Sequence, residues 1–259
     1  MEFIDTHCHL QFEKYHGRED EVLADASHAG VKKFICVGTT LADSRQAAEL
    51  AKTKDDVWAS AGTHPHDASS FLADPDATEK LKKIVRQPRV VAVGETGLDY
   101  YKRFSTKDEQ KRVLRTHIEI GLECRLPLVF HVRDAWDDFW RIYDSYKNLM
   151  GVVHSFSADP EQLDRVLGRG LYVGLNGIMT FTKQESQLEA ARSVPVDRLL
   201  LETDAPFLTP APFRGELCEP KHIASIAEFL AKLRDESLEE LARATTDNAL
   251  KLFGIERQG

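Results

Sequence analysis

Apolar residues along this chain fall into short runs separated by longer segments of helical period. The runs are Phe3–Thr6, Lys33–Val37, Val57–Gly62, Val90–Gly94, Leu128–His131, Gly151–His154, Leu171–Leu175 and Arg198–Glu202, eight in all. Their near-continuous Val, Ile and Leu content predicts strands covered on both faces, as in a parallel sheet under helices. Helical period marks Glu19–His28, Asp43–Thr53, Ala77–Arg86, Thr106–Glu123, Ala135–Tyr146, Pro160–Gly168 and Lys183–Arg192, with Lys221–Leu233 and Leu238–Phe253 after the last strand. Ser105 stands before an acidic first turn, and Gly30 and Gly168 fall near helix ends, which is ordinary start and stop chemistry. Eight strands alternating with helices predict an α/β fold, a TIM-like (β/α)8 barrel, with an open doubly wound sheet as the alternative. No repeat, low-complexity tract or Gly-, Pro- or Ser-rich linker interrupts the pattern, so residues 1–259 read as a single domain.

The polar exceptions to this pattern sit at one end of the strands. Residues two apart in a strand share a side, so Asp5, His7 and His9 point one way and Ile4, Thr6 and Cys8 the other. The third run leads into His64. In the fourth, Val91, Val93 and Glu95 share a parity, and the fifth ends in His131 with Arg133 two residues on. The sixth ends in His154, and the eighth in Glu202 and Asp204. A barrel brings the C-terminal ends of all its strands to one mouth, whereas an open sheet would hold the first, fourth, fifth, sixth and eighth apart. A single strand-end His is commonly structural. Several on the inward parity, with two carboxylates, would leave costly buried charge unless a cation is shared among them.

The proposed ligands are His7, His9, Glu95, His131, His154 and Asp204. Six N/O donors exceed the three protein ligands of a single catalytic zinc and suit two divalent ions about 3.5–4 Å apart. His7, His9 and Asp204 would hold one ion, His131 and His154 the other, with Glu95 as the bridge. Imidazole with carboxylate fits Zn, Mn, Fe, Co or Ni, and Mg less well. Asp204, Glu95 and His64 are the expected catalytic residues, Asp204 as the proton acceptor for a metal-activated water. Arg133 and His64 are candidates for an anionic substrate, with pairing of Arg133 to Asp134 or Asp137 as the alternative. Tyr100, Tyr101, Phe156 and Phe207 flank strand ends as base-stacking candidates or as loop packing. Asp5 and Glu202, one layer deeper, read as support for the ligands or as a structural cluster.

Composition limits the function classes. A hydrophobic fraction of 42% and a charged fraction of 29% are those of an ordinary globular protein. The net charge of -8 excludes bulk coating of nucleic acid but not a nuclease, because bound cations reverse the local field. Cys8, Cys36, Cys124 and Cys218 are scattered and read as free thiols of a cytoplasmic protein. No signal peptide, membrane span, P-loop, Gly-x-Gly-x-x-Gly helix start or Gly-x-Ser-x-Gly elbow is present, so no membrane partner and no organic cofactor is expected.

The stretches FIDTHCHL, AGTHPHD, VVAVGETGLDYY, PLVFHVRDA, GVVHSFS, LLLETDAPFLTP and ATTDNALKLFGI cover the chain from residue 3 to residue 255. In these segments it resembles the TatD family of metal-dependent nucleases, within the amidohydrolase-like barrels. The resemblance implies a TIM-like barrel and phosphodiester hydrolysis of DNA, with members described as 3′–5′ exonucleases acting on strand ends. It places the family's metal ligands on the same six residues and a functional His on His64. One departure is His154-Ser155-Phe156, where many relatives have His-Cys-Phe. The alternatives are hydrolysis of another ester or amide, such as aminoacyl-tRNA esters, or a binding protein with a degenerate site. The complete ligand set opposes the latter. The oligomeric state is not legible in the sequence.

Overall fold

The computed structural model describes residues 1–102 and 104–256. The strands are β1 (Phe3–Cys8), β2 (Val31–Val37), β3 (Val57–Ala61), β4 (Val90–Asp99), β5 (Leu128–Arg133), β6 (Gly151–Val153), β7 (Tyr172–Leu175) and β8 (Leu199–Leu201), and they form one sheet in chain order. The helices are α1 (Glu19–His28), α2 (Leu41–Thr53), α3 (Ala68–Ala73), α4 (Ala77–Val85), α5 (Lys107–Cys124), α6 (Trp136–Tyr143), α7 (Pro160–Leu167), α8 (Glu185–Ser193), α9 (Ile223–Arg234) and α10 (Leu238–Phe253). The sheet closes on itself. Cys8 bridges Ala205 in parallel, the Asp204 N–H donates to the His7 carbonyl at 2.8 Å, and the Thr6 hydroxyl donates to the Leu201 carbonyl at 2.9 Å. This is the expected (β/α)8 barrel and not the open sheet.

Two compact units make up the chain: Met1–Ile35 with His154–Gly259, and Cys36–Val153. In the first, β8 is three buried leucines, and α10 ties its start in place. The Asn248 amide donates to the carbonyls of Val196 and Leu199, both at 2.8 Å, and the Thr246 hydroxyl donates to the Glu2 carbonyl at 2.9 Å. The ATTDNALKLF segment therefore has a structural task. In the second unit, α5 starts at a capping box. The Thr106 hydroxyl accepts from the Glu109 N–H, and the Glu109 carboxylate accepts from the Thr106 N–H. The expected start residue, Ser105, lies one position too early. Its hydroxyl instead donates to the His66 carbonyl at 2.8 Å.

Strand ends differ from expectation in ways that bear on the site. β4 runs five residues past Gly94, whereas β6 and β8 stop just before His154 and Glu202. α3 was not foreseen, because six residues are too few to show a period. Among the described residues no cysteine forms a disulfide, and no helix is long and apolar enough to cross a membrane.

Candidate metal centre

In the first unit, His7 lies near the end of β1 and is fully buried, with His9 two residues on. Asp204 follows β8. Its N–H bond to the His7 carbonyl fixes it beside β1, in a left-handed backbone conformation (φ 59°) that Asp tolerates better than most residues. One carboxylate oxygen stands 3.6 Å from His7 Nε2 and 3.4 Å from His9 Nε2. Burial pushes this carboxyl up, but the His9, His7 and His154 rings outweigh burial and hold it below its ordinary value, so it is ionised at neutral pH. His154 stacks on His7, with centroids 4.0 Å apart. Its Nδ1 lies 3.7 Å from a Glu202 oxygen, longer than a hydrogen bond. Glu202 is itself held by the Ser155 N–H at 2.5 Å and the Asn176 amide at 3.2 Å. Gly174 makes room for it, since a Cβ there would come within 2.3 Å of the Glu202 carboxylate.

Asp5 is the structural member of this group. Its oxygens accept from the His7 N–H at 3.2 Å, the Thr203 N–H at 3.0 Å and the Thr203 hydroxyl at 2.6 Å. Burial pushes its carboxyl up to about 7 in spite of those three bonds. Of the two readings left open by the sequence, the Thr-bonded cluster is the one present.

In the second unit, Glu95 sits on a bulge. Val93 pairs with Leu128 and Thr96 with Phe130, so β4 spends three residues where β5 spends two. The simple two-residue alternation from Val91 through Glu95 is therefore interrupted, and the bulge sets the aim of Glu95. Its N–H donates to the Gly38 carbonyl at 2.9 Å. Glu95 Oε1 is 2.9 Å from His131 Nδ1 and 3.5 Å from His64 Nε2. Gly97 allows β4 to pass His131 closely, because a Cβ there would lie 1.8 Å from the His131 carbonyl oxygen.

His64 has its tautomer set by the backbone. Its Nδ1 accepts from the His66 N–H at 3.1 Å, so the neutral ring carries its proton on Nε2. With that tautomer the nitrogen donates toward an oxygen. His131 is arranged in the opposite sense. Its Nε2 lies 3.2 Å from Asp99 and its Nδ1 2.9 Å from Glu95, so an Nε2–H held by Asp99 would make Nδ1 the nitrogen that faces an ion beside Glu95.

Asp99 and His66 were not singled out from the sequence. Asp99 Oδ2 also meets His66 Nε2 at 3.0 Å, and its Oδ1 accepts from the N–H groups of Tyr101 and Lys102 at 2.9 and 3.0 Å. Burial acts to raise this carboxyl, but the hydrogen bond from His131, the Lys102 N–H and the two rings hold it well below the usual carboxylate range. A signal existed in the two-residue step Glu95, Gly97, Asp99. It was hidden because Gly-Glu-Thr-Gly reads as the end of a strand.

The donor chemistry fits divalent ions. His7, His154 and Glu202 in one unit, and His64, Glu95 and His131 in the other, each present N and O atoms within 4.8 Å of one another. The separations of 3.4 and 3.6 Å around Asp204 exceed a hydrogen bond. They match the spacing of about 3.3–3.6 Å between two ligands of a tetrahedral ion with bonds of about 2.0–2.2 Å.

The substrate-binding candidates separate. Phe207 is 47% exposed, with Lys14 5.7 Å from its ring centre. Phe156 is 3% exposed, so it packs and has no face to offer a base. Tyr100 is fastened: its hydroxyl donates to Asp138 at 2.7 Å and the Lys107 ammonium sits 4.1 Å over its ring. Arg133 is exposed and sits over the Tyr101 ring, its guanidinium carbon 3.8 Å from the ring centre, and not against Asp134 or Asp137. Cys8 is buried, and its thiol donates to the Ile35 carbonyl.

Residues 4–254 match the family described as TatD related DNase. The chain is 40% identical to the uncharacterized metal-dependent hydrolase YcfH of Escherichia coli K12, over 99% of this chain and 97% of that one. It is 34% identical to the 3′-5′ ssDNA/RNA exonuclease TatD of Shigella flexneri, over 97% and 99% of the two chains. The crystal structure of YJJV, a TatD homolog from E. coli K12, superposes with a TM-score of 0.91 at 30% identity over 98% of each chain.

Proposed function

Because this chain belongs to the TatD related DNase family and is a metal-dependent hydrolase, we propose that its substrate is single-stranded DNA, cut from the 3′ end at a binuclear centre. The observation that carries this reading is the donor set: imidazole and carboxylate groups, without sulfur, at the C-terminal ends of barrel strands, where barrel enzymes keep their active sites. We assign His7, His9 and Asp204 to one ion, His131 and His154 to the other, and Glu95 to the bridge, with the whole chain acting as a single hydrolase domain. The exonuclease name of the Shigella relative supports the substrate class.

Bound divalent ions supply a water acidic enough to lose its proton near neutral pH and a positive field for phosphate oxygens. The protein's own groups do the rest. Asp204, ionised and backbone-anchored, accepts the proton of the attacking water. His64 offers Nε2–H to a phosphate or leaving oxygen. Arg133 attracts the phosphate, and Phe207 supplies a face for a base.

The test is a metal-titrated assay on single-stranded DNA, double-stranded DNA, RNA and a simple ester. The expected result is about two ions per chain and shortening of single-stranded DNA from its 3′ end only when metal is present. Glu95→Ala should disturb both ions, and retention of both at unchanged affinity rules out the bridge. Activity that survives exhaustive chelation sinks the metal mechanism. Activity on the ester with none on any nucleic acid transfers the assignment to carboxylic esters.

A further inference from the structure

The loop after β4 reads YYKRFSTK from Tyr100 to Lys107, with three aromatic and three basic residues and no acid, in a chain of net charge -8. Among the described residues, the large exposed hydrophobics are four aliphatic side chains and three aromatic ones: Tyr101 at 61%, Phe104 at 68% and Phe207. The aliphatic ones are scattered singly and need no explanation. The aromatics follow β4, which carries Glu95, and β8, which is followed by Asp204. Chance exposure on a surface dominated by helices has no reason to sort aromatic from aliphatic in this way.

The geometry inside this loop is that of a platform. Arg133 covers one face of Tyr101, so a guanidinium plane stands where a bare ring would otherwise be. Phe104 meets His66 edge to face, with centroids 4.9 Å apart, and His66 is bonded in turn to Asp99, the partner of His131. Phe104 thus joins the His131 cluster through two contacts. Beside it is a cavity of about 580 Å³ lined by Tyr100, Phe104, Lys107, Asp99 and Ser69, among others, a volume that holds a nucleotide-sized ligand. The acids at this groove are both engaged: Glu109 accepts from Thr106 and Ser69, and Asp99 faces His66 and His131 and accepts from the Tyr101 and Lys102 amides.

We propose that this loop is a nucleobase subsite: one base of a single strand stacks on Phe104, and the Arg133 guanidinium, held over the Tyr101 ring, draws the adjoining phosphate. The occupant is a nucleotide and not a protein surface, because an aromatic face paired with a cation in an acidic molecule complements a base joined to an anion. Base stacking is indifferent to sequence, so the subsite serves processive shortening of any strand. The inference rests on the nuclease reading and adds to it the residues that grip the strand.

The test compares Phe104→Ala with Phe104→Tyr in the metal-loaded protein. Two substrates are used: a single-stranded oligonucleotide, and the same strand made abasic at its terminal nucleotides. Loss of one stacking contact should raise KM for the normal strand at least about fivefold and change KM for the abasic strand by less than about twofold. Phe104→Tyr should restore the wild-type value. An unchanged KM for the normal strand overturns the subsite and leaves Phe104 to a protein contact. An equal rise for both strands makes Phe104 loop packing and also overturns it. If the wild-type protein cleaves a simple ester but neither strand, the nuclease reading fails and takes the subsite with it, an outcome distinct from the other two.

Discussion

His64 and Asp99 are near neighbours in space with opposite expected roles. The His66 amide places the His64 proton on Nε2, which makes it a donor. Asp99, 3.2 Å from His131 Nε2, would hold that proton and turn Nδ1 to an ion beside Glu95, the ligand role proposed for His131. Two substitutions separate these roles. His64→Gln should keep both ions at wild-type affinity and lose about 10²–10⁴ in kcat, the size of an acid–base contribution. Asp99→Asn keeps an oxygen for the Tyr101 and Lys102 amides, so the turn should survive. Its metal affinity should fall about 10–100-fold, as for other groups that orient a ligating His. Isothermal titration of the apo-protein with Mn²⁺ or Zn²⁺, together with far-UV circular dichroism, measures both. Loss of an ion from His64→Gln would make His64 a ligand and reverse the tautomer argument.

At the scale of elements, α5 carries a pH dependence of its own. His117 is fully buried in it. Its Nδ1 donates to the Val113 carbonyl at 2.8 Å, and Phe71 of α3 packs 5.3 Å away. Burial drives its pKa down from 6.5 to about 4, and the carbonyl contact recovers only part of the loss. The unfolded chain therefore takes up a proton below pH 6.5 that the folded chain refuses until about pH 4. Stability should be full above pH 6.5, fall as the pH drops toward 4, and level off below that, with a loss of up to about 3 kcal/mol. Urea midpoints between pH 7 and 4 read this directly, and His117→Gln should flatten the slope. A wild-type slope that survives the substitution would place the acid sensitivity elsewhere.

For the whole molecule, ions bound only by the folded barrel stabilise it by mass action. At 100–1,000 times Kd the gain per site is about 2.7–4.1 kcal/mol, or a rise of about 5–15 °C in Tm for a chain of this size. Calorimetry before and after chelation should show that shift and its return on adding metal back. A Tm indifferent to chelation would mean that no ion is bound by the folded chain under those conditions. The barrel makes this coupling physically reasonable, because the donors come from segments far apart in sequence: His7 and Asp204 are bonded neighbours through the closure of β1 on β8.

Much of this was written in the order of residues. Strand runs, helical periods and the position of His and acid residues at strand ends determined the barrel and nominated His7, His9, Glu95, His131, His154 and Asp204, because burial on both faces and the cost of isolated charge are local properties of a sequence. Only the tertiary structure decided how these groups are held. The bulge that aims Glu95 depends on register against β5, the Asp99 carboxylate that orients His131 depends on β4 running past a Gly-Glu-Thr-Gly segment, and the His64 tautomer depends on one amide. Exposure did the same for the aromatics, burying Phe156, fastening Tyr100 and leaving Tyr101 and Phe104 exposed, since a loop's side chains take their direction from neighbours the sequence does not place beside them.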